Sequence, residues 1–540
     1  MTKLSSYINP QGQDFQANRE QMLAQLKQVR DIEAFCISTE QEKQSRYHKK
    51  NMLLPRERLQ HLVDAGAPFI ELSSLAGYKM DDDKDGSGAG GGCIAGIGYV
   101  SGVRCLVKVD NYAVKGGTVS VSGMEKNLRL QQIAIENKLP FITLAQSGGA
   151  NLAYATKIFA PGGRSFANQA RMSALGIPQI TVVHGSATAG GAYQPGLSDY
   201  VIMVKKQASM YLAGPPLLKA ATGEIATEEA LGGAEMHIRE PGSSEYLADN
   251  DRDAIAMARE ILAMTGQNFR QNQSQGQSQA TYAEPDFSPE ELLGIVPAET
   301  KTPYDAREII ARLSDGSQYL EFKADWDAQT LCGHIKLGGL PCGVIANNGP
   351  ITAKGASKAA QFIQLCQQSQ IPLLFLHNTT GFMVGTESEQ SGIIKHGSKM
   401  IQAVANATVP KISIVIGGSY GAGNYAMCGR GFDPRFIFAW PNSKTSVMGG
   451  AQAGKVLRIV TEAKMKATGE VDNNKLDQLE QGTCAMIEQG AGAIPCSARL
   501  WDDGIIDPRH TRSLLIELFD ICHQADKQEL AQNHFGVARF

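Results

Sequence analysis

Two runs of small residues carry the chemistry that this chain offers: Thr188-Ala189-Gly190-Gly191-Ala192-Tyr193 and Gly421-Ala422-Gly423-Asn424. Each follows an apolar segment rich in β-branched residues, Ile177-Pro178-Gln179-Ile180-Thr181-Val182-Val183 in one half and Val409-Pro410-Lys411-Ile412-Ser413-Ile414-Val415 in the other. The two segments lie 232 residues apart, and the same offset carries Gly190-Gly191 onto Ala422-Gly423. At that offset Leu139-Pro140-Phe141-Ile142-Thr143-Leu144 also recurs, as Ile371-Pro372-Leu373-Leu374-Phe375-Leu376. Small residues at a strand-to-helix turn let a ligand oxygen approach backbone N–H groups closely. N–H pairs of this kind stabilise oxyanions. One such turn reads equally as helix packing at a strand end. Two, at a matched offset, point to an enzyme of enolate chemistry that stabilises two oxyanions.

A second turn stands beside the first in each half. Ser147-Gly148-Gly149-Ala150-Asn151 ends the earlier strand, and Asn378-Thr379-Thr380-Gly381-Phe382 is its echo, without a Ser at the matching position. Ser147 is no hydrolase nucleophile by pattern, because GxSxG is absent and no His or Asp is placed for a triad. A backbone-lined turn near a substrate is the better reading. Gly86-Ser87-Gly88-Ala89-Gly90-Gly91 formally fits GxGxxG. A dinucleotide site needs a strand before it and a helix after it, whereas an acidic loop precedes this run and strands follow. Glu387, Glu389, Lys395 and His396 read as a solvated helix face.

The elements that must position these turns follow from periodicity. Residues 14–34 are predicted helical, with Phe15, Met22, Leu23, Leu26 and Val29 at helical spacing, and 40–64 form a second helical stretch. Asp81–Gly92 is acidic and then glycine-rich, which predicts a mobile loop. Cys93–Asn111 alternates as two strands around a Ser101-Gly102 turn. Pro303–Phe322 mirrors Leu53–Leu72, and Gly338–Ala346 mirrors Ser101–Val109. Lys115-Gly116-Gly117 finds an echo in Lys354-Gly355-Ala356. Repeated strand–strand–helix units predict an α/β spiral, not a Rossmann sheet. The expected organisation is an N-terminal helical extension at 1–35, a domain at 36–270, a polar linker at 271–285 and a second domain at 286–540.

Bulk properties exclude several classes. The 540 residues carry 51 basic and 54 acidic side chains, a net charge of −3, with no basic excess for nucleic acid or an anionic membrane. No stretch is apolar over the ~20 residues a membrane helix needs, and Met1–Gly12 lacks the pattern of a secretory signal. Ten cysteines stand singly without a CxxC pair, so they read as reduced core residues and no metal site is expected. A cytoplasmic location is expected, or the mitochondrial matrix in a eukaryote. The 57 glycines and a charged fraction of 19% suggest tight turns and large buried interfaces, hence an oligomer.

The chain resembles the carboxyltransferase (β) subunits of biotin-dependent acyl-CoA carboxylases, in the crotonase superfamily, over roughly Ile8 to Phe540. The carriers are Lys50–Arg58, Gln146–Asn151, Thr188–Tyr193, Thr380–Gly385, Gly417–Tyr425 and Trp440-Pro441-Asn442. Ala150-Asn151 and Gly421-Ala422-Gly423-Asn424-Tyr425 are similar to the branch acting on 2-enoyl-CoA esters with a 3-methyl group, which includes 3-methylcrotonyl-CoA and geranyl-CoA carboxylases. The resemblance implies two tandem crotonase-like (ββα spiral) domains related by duplication. It implies that carboxybiotin, borne by an α subunit, supplies CO2, that the biotin ureido anion takes a proton from the acyl-CoA, and that the dienolate attacks CO2 through its γ carbon. Gly190 and Gly191 would then serve the thioester oxygen, and Ala422 and Gly423 the biotin oxygen. Substrate contacts would come from Lys115, Gly116, Gly117, Ser147, Gly148, Gly149, Ala150, Phe166 and Ala167. Gly381, Phe382 and Gly421 would join the biotin side.

The resemblance also implies a dimer-based β6 core of an α6β6 assembly. The basic run Arg46, His48, Lys49, Lys50, Arg56 and Arg58 could meet CoA phosphates or pair with acidic neighbours. Ala167 stands where methylcrotonyl enzymes tend to carry an aromatic, which favours the longer geranyl chain. Without a Met-Lys-Met acceptor site, this chain is expected to carry no biotin itself. A 3-methylcrotonyl-CoA or propionyl-CoA enzyme, a biotin-dependent decarboxylase subunit and a non-catalytic scaffold for the biotin-bearing subunit remain alternatives.

Overall fold

The computed structural model describes residues 1–81, 83–270, 282–297, 302–469 and 471–539. Most of the expected linker, 271–281, lies outside the described residues. Two compact units are present. One comprises Asp31–Ser278, Ala498–Leu500 and Ile521–Phe540, and the other Met1–Arg30, Gln279–Ser497 and Trp501–Asp520.

The first-half unit is built on one sheet of eight strands: β2 (Ile70–Glu71), β3 (Cys93–Val100), β4 (Val103–Asp110), β5 (Phe141–Ser147), β6 (Gln179–Thr188), β7 (Tyr200–Val204), β8 (Ser209–Tyr211) and β9 (Tyr246–Ala248). Their order is β2-β3-β4-β5-β6-β7-β9, with β8 beside the end of β6. The β2-β3 and β3-β4 pairs are antiparallel, and the pairs from β4 to β7 are parallel. Parallel strands covered on both faces need continuous apolar runs. Strand β5 is accordingly buried along its whole length, and Val107, Leu144, Val182 and Ile202 at its heart are fully buried.

The second-half unit repeats this plan with β10 (Gln318–Glu321), β11 (Thr330–Leu337), β12 (Leu340–Asn347), β13 (Leu373–Thr379), β14 (Lys411–Tyr420), β15 (Phe436–Ala439) and β16 (Lys444–Ser446). The sheet runs β10-β11-β12-β13-β14-β15, with β16 on β14 and β1 (Thr2–Lys3) at its edge. The register repeats in detail. Strands β5 and β6 slip between Ala145 and Ser147, after which Ser147 faces Ala187. Strands β13 and β14 slip between His377 and Thr379, after which Thr379 faces Ser419. The slip bends each strand end and aims the turn that follows.

Helix starts repeat as well. Ser120 Oγ accepts from the N–H of Gly123 at 3.0 Å, and Thr352 Oγ1 accepts from Gly355 at 2.9 Å. These caps correct the expected echo of Lys115-Gly116-Gly117. Lys354-Gly355-Ala356 lies inside the helix Ala353–Gln368, where its counterpart is Ser122-Gly123-Met124, while Lys115–Gly117 forms a separate tight turn. Residues 13–41 form one helix, and the stretch expected at 40–64 resolves into helices at Gln44–His48 and Pro55–Leu62. Within the Asp81–Gly92 segment, expected to be mobile, residues 83–92 are held. Asp83 accepts from the N–H groups of Lys79 and Gly88, both Gly90 and Gly91 donate to the Ala76 carbonyl, and the buried Lys126 ammonium donates to the Gly90 and Cys93 carbonyls.

The units differ from the sequence boundaries at both chain ends. Strand β1 pairs with β10, and Glu308 accepts from the Ser6 hydroxyl and the Tyr7 N–H. At the other end, Asn533 donates to the Ala174 carbonyl and Lys138 to the Gln528 carbonyl. Each terminus thus completes the unit built from the distant half of the chain.

Candidate active site

In the first-half unit three turns meet at the carboxyl ends of β4, β5 and β6. Gly148 donates its N–H to the Gly117 carbonyl at 3.1 Å, which joins the Lys115–Gly117 turn to the Ser147–Ala150 turn. Ser147 Oγ accepts from the Gly149 N–H at 3.2 Å and closes its own turn. The chain then returns alongside Val119, whose N–H donates to the Gly149 carbonyl at 2.9 Å and whose carbonyl accepts from the Asn151 N–H at 3.0 Å, flanking Ala150. These contacts are close. A Cβ at Gly148 would meet the Gly116 carbonyl oxygen at 2.7 Å, and one at Gly191 would meet Ser147 Oγ at 2.9 Å.

Strand β6 ends at Thr188, and a short helix begins at Gly190. Between them Ala189 adopts φ +53°, ψ −122°, a conformation costly for any residue with a Cβ. This reversal directs the first helical N–H groups outward. Ala192 donates back to Ala189, whereas Gly190 and Gly191 donate to none of the described residues. Gly190 is exposed and Gly191 half-buried. The Phe166 ring stands over Gly190, 3.7 Å from where its Cβ would be, and packs on Tyr193 at 5.8 Å between centroids. The geometry therefore assembles Lys115–Gly117, Ser147–Ala150, Gly190, Gly191 and Phe166. Ala167 lies ~100° further round the same helix than Phe166, turned from that face; it is half-buried.

The second-half unit holds the matching turn. Thr379 Oγ1 accepts from the Gly381 N–H at 3.2 Å, so Thr does here what Ser147 does in the first copy. The hydroxyls differ in what they donate to: Ser147 to the Gly117 carbonyl at 3.3 Å, Thr379 to the Gly381 carbonyl of its own turn at 3.1 Å. Ile351 donates its N–H to the Gly381 carbonyl and accepts from the Met383 N–H, both at 2.9 Å, flanking Phe382 as Val119 flanks Ala150. Gly421 has φ +54°, the counterpart of Ala189, and Ala422 and Gly423 donate to none of the described residues. Ala422 is exposed and Gly423 buried, with Gly381 Cα 2.8 Å from where its Cβ would stand. The Phe382 ring turns inward, against Gly397.

Behind the Ser147 turn lies a charged cluster that no local pattern announced. Arg58 is fully buried, donating from Nε to Asp251 at 3.0 Å and from a terminal nitrogen to Gln146 at 2.8 Å. Asp251 also receives the Leu53 N–H and His184 Nδ1, each at 2.8 Å. Burial pushes the Asp251 carboxyl up, but these bonds outweigh it and hold it well below the usual range. Burial, reinforced by Arg58, lowers His184 to about 4, so its ring is neutral and donates to the carboxylate. Arg58 is thus a support for Gln146 rather than a phosphate contact. Arg56 is likewise engaged, bidentate with Glu71. The exposed members of that run are Arg46, His48, Lys49 and Lys50, of which His48 meets Glu57 at 3.1 Å. On the other helix face, His396 bonds Ser357 while Glu387, Glu389 and Lys395 are exposed.

What this arrangement can do is present two N–H pairs, one per unit, that no described residue accepts, each on a turn braced by its neighbours. Comparison with known proteins gives the chemistry. Residues 46–537 match the carboxyl transferase domain family. The crystal structure of the P. aeruginosa geranyl-CoA carboxylase beta subunit is 59% identical and superposes with a TM-score of 0.93 over 100% of both chains. A probable biotin-dependent acyl-coenzyme A carboxylase beta2 subunit of Mycobacterium tuberculosis is 48% identical over 87% of this chain and 87% of its own. A probable mitochondrial methylcrotonoyl-CoA carboxylase beta chain of Drosophila melanogaster is 44% identical over 95% of this chain and 91% of its own. With the duplicated crotonase-like fold, these matches make the chain a member of the carboxyl transferase domain family, the carboxyltransferase of a biotin-dependent acyl-CoA carboxylase.

Proposed function

We propose that this carboxyltransferase acts on geranyl-CoA, carboxylating its γ carbon, with the Gly190–Gly191 N–H pair receiving the thioester oxygen and the Ala422–Gly423 pair the biotin ureido oxygen. The observation that carries the two roles is the pair of matched turns, each with two N–H groups that no described residue accepts. Carboxybiotin on a partner subunit supplies CO2 and, once discharged, a basic ureido group. The chain's own part is positional. Gly190 and Gly191 stabilise negative charge as the thioester becomes an enolate, an effect that elsewhere amounts to about 3 kcal/mol per donor. Ser147 and Gly148 hold that turn from behind, and Phe166 bounds the acyl group. Because the donors are amides, no side-chain base has to titrate for them to work.

Geranyl-CoA is favoured by the identity of 59% along the whole chain to an enzyme named for it, against 44% to the methylcrotonoyl relative. The small Ala167 beside Phe166 agrees with a longer acyl chain, although its helical position sets it off the Phe166 face. The proposed assembly is a β6 core with biotin-bearing α subunits, in the cytoplasm.

The test is ATP- and bicarbonate-dependent carboxylation by the protein co-expressed with its biotin-bearing subunit. We expect kcat/KM for geranyl-CoA to exceed that for 3-methylcrotonyl-CoA and propionyl-CoA at least tenfold. A preference for 3-methylcrotonyl-CoA would keep the two turns and discard the substrate. On a streptavidin blot, biotin is expected on the partner and none on this chain.

A further inference from the structure

Three positions that are apolar around the first copy's turns are polar in the second. At the offset of 232, Ala145, Ala187 and Ala192 of the first copy become His377, Ser419 and Asn424 of the second. All three alanines are buried. Their replacements are hydrogen-bonded to one another: Asn424 Nδ2 donates to Ser419 Oγ at 2.8 Å, and Ser419 Oγ lies 2.9 Å from His377 Nδ1. His377 and Ser419 are fully buried. We propose that His377, Ser419 and Asn424 are positioning residues that preset the Ala422–Gly423 N–H pair for the group delivered by the partner subunit, which rests on the role assigned to that pair above.

Asn424 sits in the first turn of the helix Gly421–Ala426, directly after Gly423. Its amide is clamped on one side by Ser419 and on the other by Gly429, where an added Cβ would fall 2.0 Å from Asn424 Oδ1. The backbone carbonyl of Asn424 accepts from the Gly429 N–H at 2.8 Å. Burial lowers His377 to about 3, against the opposing pull of the Met427 carbonyl, so the ring is neutral. Ser419, accepting from Asn424, can then donate to Nδ1, which leaves Nε2–H on the side of the Met427 carbonyl. The network thus anchors the first turn of the short helix, at Asn424. Rotation of the Ala422 and Gly423 amides would break it.

The first copy has a buried network of its own behind the Ser147 turn, through Arg58, Gln146, Asp251 and His184; the chemistry explains why the second carries one at Asn424, next to the N–H pair. A CoA ester brings a long nucleotide moiety whose contacts can contribute to shaping the first turn. A ureido ring on a carrier arrives with few contacts of its own. The cost of ordering its N–H donors therefore has to be met in the folded protein beforehand.

The experiment uses the carboxylated acyl-CoA as donor and free biotin as acceptor, with Ser419→Ala, which deletes the shared oxygen, and Asn424→Asp, which keeps the shape and replaces the donor. A misplaced donor set costs on the order of 10- to 100-fold. Both variants should lose at least tenfold in kcat/KM for biotin. Acyl-CoA affinity and binding stoichiometry should stay near wild type, which loss of folded protein would not allow, while Tm falls by a few degrees because buried partners of Ser419 lose their bonds. If one variant fails to fold, the other decides. The proposal is overturned if kcat/KM for biotin stays within twofold, or if acyl-CoA stoichiometry falls in step with it. A wild-type protein that transfers nothing to biotin would instead sink the assignment of the turn itself.

Discussion

Gly191 and Gly423 are glycines for a steric reason that Gly190 does not share. A Cβ at Gly191 would lie 2.9 Å from Ser147 Oγ, and one at Gly423 would lie 2.8 Å from Gly381 Cα. At Gly190 the nearest atom is Phe166 Cζ at 3.7 Å, and the second copy already carries Ala422 there. Gly191→Ala and Gly423→Ala are therefore expected to lower kcat about 100-fold or more by displacing the turn, and Gly190→Ala at least tenfold less than either. Kinetics beside thermal melts would check this, since equal losses in all three would refute the steric account. Asp502 offers a residue-scale prediction in pH. Burial, with Asp503 adding to it, raises its carboxyl to about 7 against the charge of Arg430 and the bond from the Gly504 N–H. Between pH 4 and 7 the folded chain holds a proton that the unfolded chain releases, so this group's contribution to stability declines as pH rises and levels off above 7. Asp502→Asn removes the dependence. Its gain in Tm over wild type should be larger at pH 8 than at pH 5; the reverse order would contradict the assignment.

The strand-to-helix turn is the functional element, and its two versions solve the same backbone problem differently. Gly421 takes φ +54° freely, whereas Ala189 takes φ +53° at a cost. Ala189→Gly should stabilise the protein by up to ~1 kcal/mol, the strain relieved offset in part by the greater freedom of glycine in the unfolded chain. Gly421→Ala should destabilise it by about 1–3 kcal/mol, because the new Cβ also stands 3.0 Å from the Val447 carbonyl oxygen. Denaturant melts of the two variants test the pair, and shifts of the same sign would show that the turn is not strained as described. Ser147 and Thr379 show the complementary case. Different residue types make the same bond at 3.2 Å, so a match by letter misses an equivalence that a match by hydroxyl would find.

At the scale of the whole molecule, each terminus belongs to the unit formed by the opposite half. Truncation after Lys527 removes Gln528, whose carbonyl holds Lys138, and Asn533, whose N–H meets Ala174. It should therefore lower the Tm of the unit that holds Gly190 and Gly191 and weaken acyl-CoA binding; unchanged melting and binding would show that the C-terminal segment is only an appendage. The repeat, the two strand-turn-helix units and the small-residue turns were legible in the chain itself, because strand alternation and turn chemistry are written in adjacent residues and were written twice. The false echo at Lys354-Gly355-Ala356 shows the limit of that method. Letters matched, but a helix cap set the true alignment through Thr352 and Ser120. Folding alone brought together Arg58 and Asp251, 193 positions apart, and decided that Arg58 supports a turn rather than facing solvent. It alone linked His377 to Ser419, 42 positions on. The physical reason is that hydrogen-bond partners in a buried cluster are selected by proximity after the sheets have formed, and no periodicity along the chain encodes which distant side chain that will be.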